Sequence, residues 1–386
     1  MPQLADIDVC TGCAACLSAC ETGALTMVPD AEGYLRPLID STACVVCGQC
    51  ERVCPTYKIN NRDSNPQCFA ARTRDLSARK RSSSGGVFYE LAKQVLGKGG
   101  VVYGCALVGN PLKATHVRVD SLEHLLDLHG SKYVQSEIGN ALRMAKEDLV
   151  RNRRVLFSGT PCQIAGLRSF LRFDCENLLT VELICHGVPS AGMFARLQTE
   201  LAKAHGKSAK MINLSFRDKT VSWYARAIKT WYADGTCAME SGRGNGYFLA
   251  FLDHLMLRPS CYACLANDGR SGADITLGDY WGVHDVHPTF SDDTGCSAVI
   301  VHTKLGLDAI NAAELQIERS TLESITRANP SYRDKRTRHP LRRVFLFVAS
   351  YFGISVSGYA FHLLFQGCSW VKRFPRRVIR KLCRTI

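Results

Sequence analysis

Nineteen of the 386 residues are cysteine, and eight of them are packed into two short runs near the start of the chain. Cys10, Cys13, Cys16 and Cys20 form the first run; Cys44, Cys47, Cys50 and Cys54, followed by Pro55, form the second. Both obey C-x2-C-x2-C-x3-C, and each position recurs after 34 residues, so the stretch is an internal repeat. A loop presenting three thiolates at this interval can wrap one face of an iron-sulfur cube, and too little chain separates them to build a packed core. In proteins with two such runs the fourth cysteine of each serves the other cluster. Cys10, Cys13, Cys16 and Cys54 are therefore assigned to one 4Fe-4S centre, and Cys44, Cys47, Cys50 and Cys20 to a second.

Disulfides and zinc are the competing readings of these eight thiols. Disulfides need an exported chain, and no basic start followed by an apolar core opens this one. Zinc sites pair two C-x2-C units across a longer gap or add histidines; here three cysteines fall at successive intervals of three, twice. Glu21, not proline, follows the last cysteine of the first run. The stretch from about residue 4 to 60 resembles bacterial-type two-cluster ferredoxins. So many cysteines without an export signal point to metal chemistry in a reducing compartment and a cytoplasmic protein.

The elements that would position further chemistry follow a polar linker, Asn60 to Pro66. The length allows two or three domains, and 46% hydrophobic residues mark the chain as globular. Arg81, Ser82, Ser83, Ser84, Gly85 and Gly86 form a small-residue loop, after which Val87, Phe88, Leu91, Ala92, Val95 and Leu96 recur at helical spacing. Such a loop opening a helix is a seat for phosphate, although Ser-Gly helix starts are common for other reasons. Val101 to Val108 reads as a strand. Gly130 to Gln135 is a polar loop before a helix through Leu142, Ala145 and Leu149. The apolar strand Val155, Leu156, Phe157 runs into Ser158, Gly159, Thr160, Pro161 and Cys162, with Pro161 suited to a first helical turn. Another buried strand, Leu178 to Ile184, leads to Cys185 and His186. Strands that deliver cysteines into Gly/Pro turns predict an α/β (α+β) body with its chemistry at strand ends.

Phe216, Arg217, Asp218 and Lys219 read as a charged turn beside an apolar strand, which spacing does not separate from a solvated hairpin. Gly242, Gly244 and Gly246 have no clear preceding strand and do not make a dinucleotide fingerprint. Cys261 and Cys264 form a C-x2-C pair in a loop after Pro259, and Ser297 to His302 supplies a late strand. Cys162, Cys185, Cys261 and Cys264 thus lie in turns outside the repeat. Four thiolates suffice for one more 4Fe-4S cube or for a zinc ion, and buried small hydrophobes are the commoner use of scattered cysteines.

The strings RSSSGG at Arg81, GSKYVQS at Gly130, SGTPCQIAGLR at Ser158, ICHGVPS at Ile184, SFRDK at Ser215, CYAC at Cys261 and GADITLGDYWG at Gly272 resemble, in this order, the coenzyme F420 hydrogenase/dehydrogenase beta-subunit family. The resemblance spans about residues 68 to 305. It implies a flavoprotein body that binds FAD and a proximal 4Fe-4S cluster, with Cys162, Cys185, Cys261 and Cys264 as its ligands. It also implies flavin contacts from Ser83, Ser84, Gly85, Gly86, Ser131, Lys132, Tyr133 and Thr160. Coenzyme F420 itself does not follow, since acceptors differ among members. His186, Lys132 and Asp279 are eligible acid/base groups, each also explained by a structural role.

Charge is concentrated at the end. From Ser331 onward thirteen Lys and Arg stand against Asp334 alone, so that segment carries +12 of the net +13. Val344 to Phe365 is apolar apart from His362, Tyr351 and Tyr359, and basic residues flank it on both sides. Its length suits a membrane span, but Gly353, Ser355, Ser357 and Gly358 dilute it. The alternatives are contact with an anionic membrane surface, a span, or helices packed on the body. Nucleic acid is disfavoured because no reader module accompanies the charge. The expected organisation is a ferredoxin-like domain over 1–60, a flavin and iron-sulfur domain over 68–330, and a basic amphipathic tail over 331–386. The expected activity is that of an iron-sulfur flavoprotein oxidoreductase joining 4Fe-4S clusters to a two-electron carrier through FAD, peripheral at the inner membrane face. The rivals are a non-catalytic electron-transfer protein that feeds a partner enzyme, and a structural metalloprotein with zinc at Cys162.

Overall fold

The structure, a computed structural model, describes residues 1–57, 65–173, 175–206, 209–242 and 244–367. The linker read over 60–66 lies, up to residue 64, outside the described residues, as do the basic residues from Lys372 onward.

In the head, the sequence repeat is also a backbone repeat. Gly12 and Val46 have φ of +68° and +54°, Ala14 and Gly48 +59° and +70°, and both pairs keep the 34-residue offset. Short helices follow each, Ala15–Ala19 and Gln49–Arg52. Left-handed backbone is uncommon for residues other than glycine and an outlier for a β-branched one such as Val46, so the loops are held in a shape their local preferences oppose. Between them β1 (Leu25–Pro29) and β2 (Leu35–Ile39) pair antiparallel.

The body is built on a sheet of eight strands: β3 (Gln67–Thr73), β4 (Val101–Val108), β5 (Lys113–Val119), β6 (Val155–Gly159), β7 (Leu178–Leu183), and three later ones. Between β7 and those three the chain makes a separate antiparallel sheet of β8 (Met211–Asp218), β9 (Ala227–Tyr232) and β10 (Cys237–Glu240). It then returns as β11 (Ile275–Asp279), β12 (Ser297–Val301) and β13 (Leu315–Ser320), giving the order β13-β3-β12-β11-β7-β6-β4-β5. The four central strands β4, β6, β7 and β11 run parallel, with antiparallel pairs on both flanks. Val155, Leu156 and Phe157 are buried on both faces, the reason their run is continuous and not alternating. Because parallel neighbours end on one side of a sheet, the turns after β6, β7 and β11 open at a common edge.

Head and body are packed together. Tyr34 is fully buried and donates to the Met256 carbonyl at 2.9 Å. Arg143 of the body reaches the carbonyls of Leu17, Ser18 and Cys20 at 2.6–2.9 Å, satisfying the end of the head's first helix. Gly353 (φ +88°) breaks the apolar run over 344–365 into the helices Arg342–Phe352 and Ile354–Gly367. Among the described residues no helix is long and apolar enough to cross a membrane.

Two local expectations need correction. A strand, β10, does precede the glycines at 242 to 246, but Gly242 and Gly246 serve close packing: a Cβ on Gly242 would fall 2.0 Å from the Arg226 carbonyl and one on Gly246 1.6 Å from that of Ser355. Phe216 and Arg217 are not a solvated hairpin turn; they lie within β8 and are buried.

Candidate functional site

Cys10, Cys13, Cys16 and Cys54 line one hollow in the head, together with Cys50, Ala14, Ala15 and Pro55. Of the second run's two cysteines there, Cys54 is the one whose charge bears on Cys13 and Cys16. Burial pushes the Cys13 thiol up to about 11, with the neighbouring Cys54 and Cys10 adding to it. Cys16 is raised further, again chiefly by burial and then by Cys13, Cys10 and Cys54. The other set is wetter: Cys50 is buried, Cys20 and Cys44 are half-buried, and Cys47 is exposed. The Cys50 thiol is raised by burial, with Glu51 and Cys47 adding.

The second group of thiols collects at the open edge of the sheet. Beyond β6 the Thr160 N–H donates to Gln163 Oε1 at 2.9 Å, which starts the helix Pro161–Leu171 and places Cys162 in its first turn. Thr160 Oγ1 lies 3.2 Å from Cys162 Sγ. Beyond β7, Ile184 continues pairing to Leu277 and Cys185 follows. Cys261 sits in the tight turn Pro259–Ala263, and Cys264 ends it. Gly187 (φ +124°) lets the first of these loops press on the second, since a Cβ there would stand 2.9 Å from Leu257 Cδ1 and 3.3 Å from Cys261 Cβ.

The thiols of Cys162, Cys185 and Cys261 have their ionisation opposed by their neighbours in this group. Burial comes first in every case; then Cys264 and Cys185 act on Cys162, Cys261 and Cys264 on Cys185, and Cys162 and Cys264 on Cys261, which is pushed up to about 12. Cys13 of the head also acts on Cys162, and a Cβ on Gly166 would lie 3.0 Å from Cys13 Sγ. The two thiol groups are thus neighbours through the first turns of one helix. Thiols in this state become thiolates only beside concentrated positive charge, which a bound metal centre brings, so the donor set fits one. Among the described residues no three His, Cys, Asp or Glu side chains converge on the position of a single metal ion.

Arg258 stands between the groups, 1% exposed. It donates to the carbonyls of Cys10 at 2.8 Å and Leu35 at 3.0 Å and to Gln135 Oε1 at 2.7 Å. Gly12 makes room for it, because a Cβ there would fall 2.8 Å from Arg258 Nη1.

Cys162, Cys185 and Cys261 border a cavity of about 380 Å³, the size of a small-molecule site. Ser83, Ser84, Gly86, Ser131, Lys132, Tyr133 and Thr160 line it too. Gly85 lies behind the wall, where a Cβ would meet the Ala71 carbonyl at 2.3 Å. Ser131 donates to Ser83 Oγ at 2.9 Å, and Ser84 to the Cys296 carbonyl at 2.7 Å. Lys132 donates to the His129 carbonyl at 2.7 Å, and burial pulls its ammonium down to about 8. His186 packs on Phe251 and His254 at the cavity wall.

Residues with no site role legible from the sequence, joined by Asp279, complete the lining. Both ring nitrogens of His129 are buried without a partner, and only its place before the loop at Gly130 pointed to it. Arg217 pairs with Asp279 at 2.8 Å, and both Arg217 and Arg226 lie over the Trp281 ring, 5.1 and 4.9 Å from its centre. Trp223 stacks on the same ring, with 4.8 Å between centres. Asp279 and Trp281 lie at and just beyond the end of β11, so their approach to Arg217 depends on how the second sheet folds over the first.

Three family models match this arrangement. Residues 9–58 match a 4Fe-4S dicluster domain. Residues 68–143 and 152–325 match the N-terminal and C-terminal parts of the coenzyme F420 hydrogenase/dehydrogenase beta subunit. The chain belongs to the coenzyme F420 hydrogenase/dehydrogenase beta-subunit family. Its similarity to a subunit of the F(420)H(2) dehydrogenase of Methanosarcina mazei is 28% identity over 48% of this chain and 56% of that protein. With the coenzyme F420-dependent sulfite reductase of Methanocaldococcus jannaschii it is 31% over 48% of this chain and 29% of that one. The chain therefore spans about half the length of one curated relative and under a third of the other. A chain of the F420-reducing NiFe hydrogenase complex of Methanosarcina barkeri aligns at 19% identity and a TM-score of 0.47, over 75% of this member of the family and 93% of that chain. The 4Fe-4S domain is part of the match, and the fold is a mixed α/β body behind a ferredoxin-like head.

Proposed function

We propose that this chain is an iron-sulfur flavoprotein oxidoreductase that exchanges electrons between 4Fe-4S centres in its head and a two-electron organic carrier at the body's cavity. The observation that carries the reading is the continuity of the two thiol groups: Cys13 of the head lies against the helix that begins beside Cys162, and Cys162 borders the cavity. In this reading Cys10, Cys13, Cys16 and Cys54 hold one cube, Cys44, Cys47, Cys50 and Cys20 another, and Cys162, Cys185, Cys261 and Cys264 a third. Bound FAD would exchange electrons singly or in pairs, the property needed where clusters meet a hydride carrier.

The cavity's own side chains suit that cofactor. Ser83, Ser84, Ser131 and Thr160 offer hydroxyls, and Lys132 Nζ a cation in reach of an anionic group. His129 offers two ring nitrogens that nothing else engages. Phe251 and Trp281 supply flat apolar walls. Arg217, held by Asp279, and Arg226 place positive charge at the Trp281 side, where the carrier's acidic groups would be bound and oriented. The partners are then a soluble hydride carrier and a redox protein that meets the head.

Iron, sulfide, zinc and flavin content with the visible spectrum of anaerobically purified protein test the proposal. Three cubes and one flavin correspond to about twelve iron atoms and one FAD per chain. Cys162→Ser should remove about four iron atoms. Protein that takes up no flavin, or zinc without sulfide at Cys162, would overturn the reading. Turnover with a hydride carrier and no added protein separates an enzyme from a chain that only relays electrons.

A further inference from the structure

The last two described helices are anchored on one side and bare on the other. Phe345, Ala349, Ile354 and Phe361 are buried in the core shared with Leu197, Phe251 and Leu255. Glu200 accepts from the N–H groups of Ile354 and Ser355 at 2.6 and 2.8 Å, satisfying the start of the second helix. A Cβ on Gly358 would fall 1.9 Å from the Gly246 carbonyl, so this helix and Gly246–Leu252 cross at backbone contact. His362 pairs with Asp253 at 2.8 Å. The hairpin is part of the body.

Its outer face carries Phe347, Tyr351, Phe352, Val356, Tyr359, Leu363 and Leu364, each between 46% and 73% exposed. Phe347 and Tyr351 touch, one turn apart. Ala360, Ser350 and Arg343 are the other exposed residues between 343 and 364, so the face bears a single charge. The chain then continues into a segment holding Lys372, Arg373, Arg376, Arg377, Arg380, Lys381 and Arg384 and no acidic residue. An exposed apolar patch on this scale marks an interaction site.

We propose that this face seats the protein on the surface of an anionic lipid bilayer. Aromatic and aliphatic side chains on one side of a helical hairpin, joined to cations of one sign, are what interfacial binding requires: apolar area for the acyl boundary and charge for the headgroups. The opposite side of the hairpin is occupied by the body, so the helices lie along the interface. A second copy is a poor occupant because it would bring two seven-cation segments together. Protein interfaces are depleted of charged residues at their core, whereas this apolar face runs on in sequence into seven cations. The inference does not rest on the redox reading.

Flotation of the full-length, cofactor-loaded protein with phosphatidylcholine vesicles, with and without phosphatidylglycerol, is the test. Binding is expected to the anionic vesicles, to fall with salt, and to drop about tenfold or more in a Leu363→Ser, Leu364→Ser variant and in a Phe347→Ser, Tyr351→Ser variant. All four positions are exposed, and an unchanged visible spectrum and melting curve verify that the variants fold. No flotation of the parent protein overturns the proposal. So does equal flotation of parent and variants, which would assign the attraction to charge alone. Self-association in light scattering that the serine variants abolish, or a stable complex with a protein partner that they abolish while vesicle binding persists, would hand the face to that occupant and overturn it too.

Discussion

Arg258 binds the backbone of Cys10 and aims at its sulfur: Nε donates to the carbonyl oxygen at 2.8 Å, and Nη2 lies 3.7 Å from Sγ. Burial and then Arg36 pull this guanidinium down, and Cys10, Cys261 and Cys162 act on it in the opposite sense. A buried cation is thus shared by the thiols of the head and those of the body.

Replacing Arg258 by Met removes that cation and leaves the Leu35 carbonyl without its donor, while the Cys10 carbonyl keeps Arg36 at 3.2 Å. The orphaned carbonyl costs about 1 to 3 kcal/mol. Positive charge near a cluster favours its reduced form, so the centre at Cys10 should become harder to reduce. An EPR-monitored redox titration of Arg258→Met should move to more negative potential, with Arg258→Lys in between.

Cys54 and Cys20 should have opposite addresses. Cys54→Ser should abolish the buried centre with Cys10, Cys13 and Cys16, and Cys20→Ser the more exposed one with Cys44, Cys47 and Cys50. Each change should remove about four iron atoms and erase a different EPR signal. Loss of the same signal by both would contradict the crossing of Cys54.

Lys132 makes the cofactor-free protein sensitive to pH. Below about 8 its ammonium is charged in both folded and unfolded chains; between about 8 and the ordinary value of 10.5 only the folded chain has given up the proton. Unfolding then takes a proton up, so stability rises with pH across that window. Melting temperature against pH should show the rise, and Lys132→Met should flatten it. FAD affinity should change in the reverse sense, weakening as the cation is lost above pH 8.

Asp279→Ala leaves Arg217 in the cavity wall without its counter-ion, with 3% of that side chain exposed. Urea denaturation should show a loss of about 3 to 5 kcal/mol. Adding Arg217→Met should recover part of it, since the cost lies in the unpaired charge.

The head was the most legible part of the chain because its chemistry is local. A spacing of three between thiols reports a wrapping loop directly, and the 34-residue offset reappears in the left-handed residues at 12, 14, 46 and 48. The body's central strands were legible for a related reason: strands buried on both faces write continuous apolar runs, as Val155 to Phe157 does. Arg217 was not legible. Its burial depends on Asp279 and Trp281, more than sixty residues away and on another sheet. His129 and Arg258 were missed because a single residue inside a loop or before a turn has no periodicity to read. The glycines at 242 to 246 looked like a failed nucleotide motif; the backbone at Arg226 explains Gly242 and the helix at Ile354–Gly367 explains Gly246.

The two halves of the duplicated head have unequal access to water. Cys13 is sealed against the body while its counterpart Cys47 stands in solvent. If the proposed electron path holds, a redox partner arriving at this end of the molecule would meet the outer copy first. Selection for new partners can therefore reshape the surface around Cys47 without disturbing the sealed copy or anything behind it.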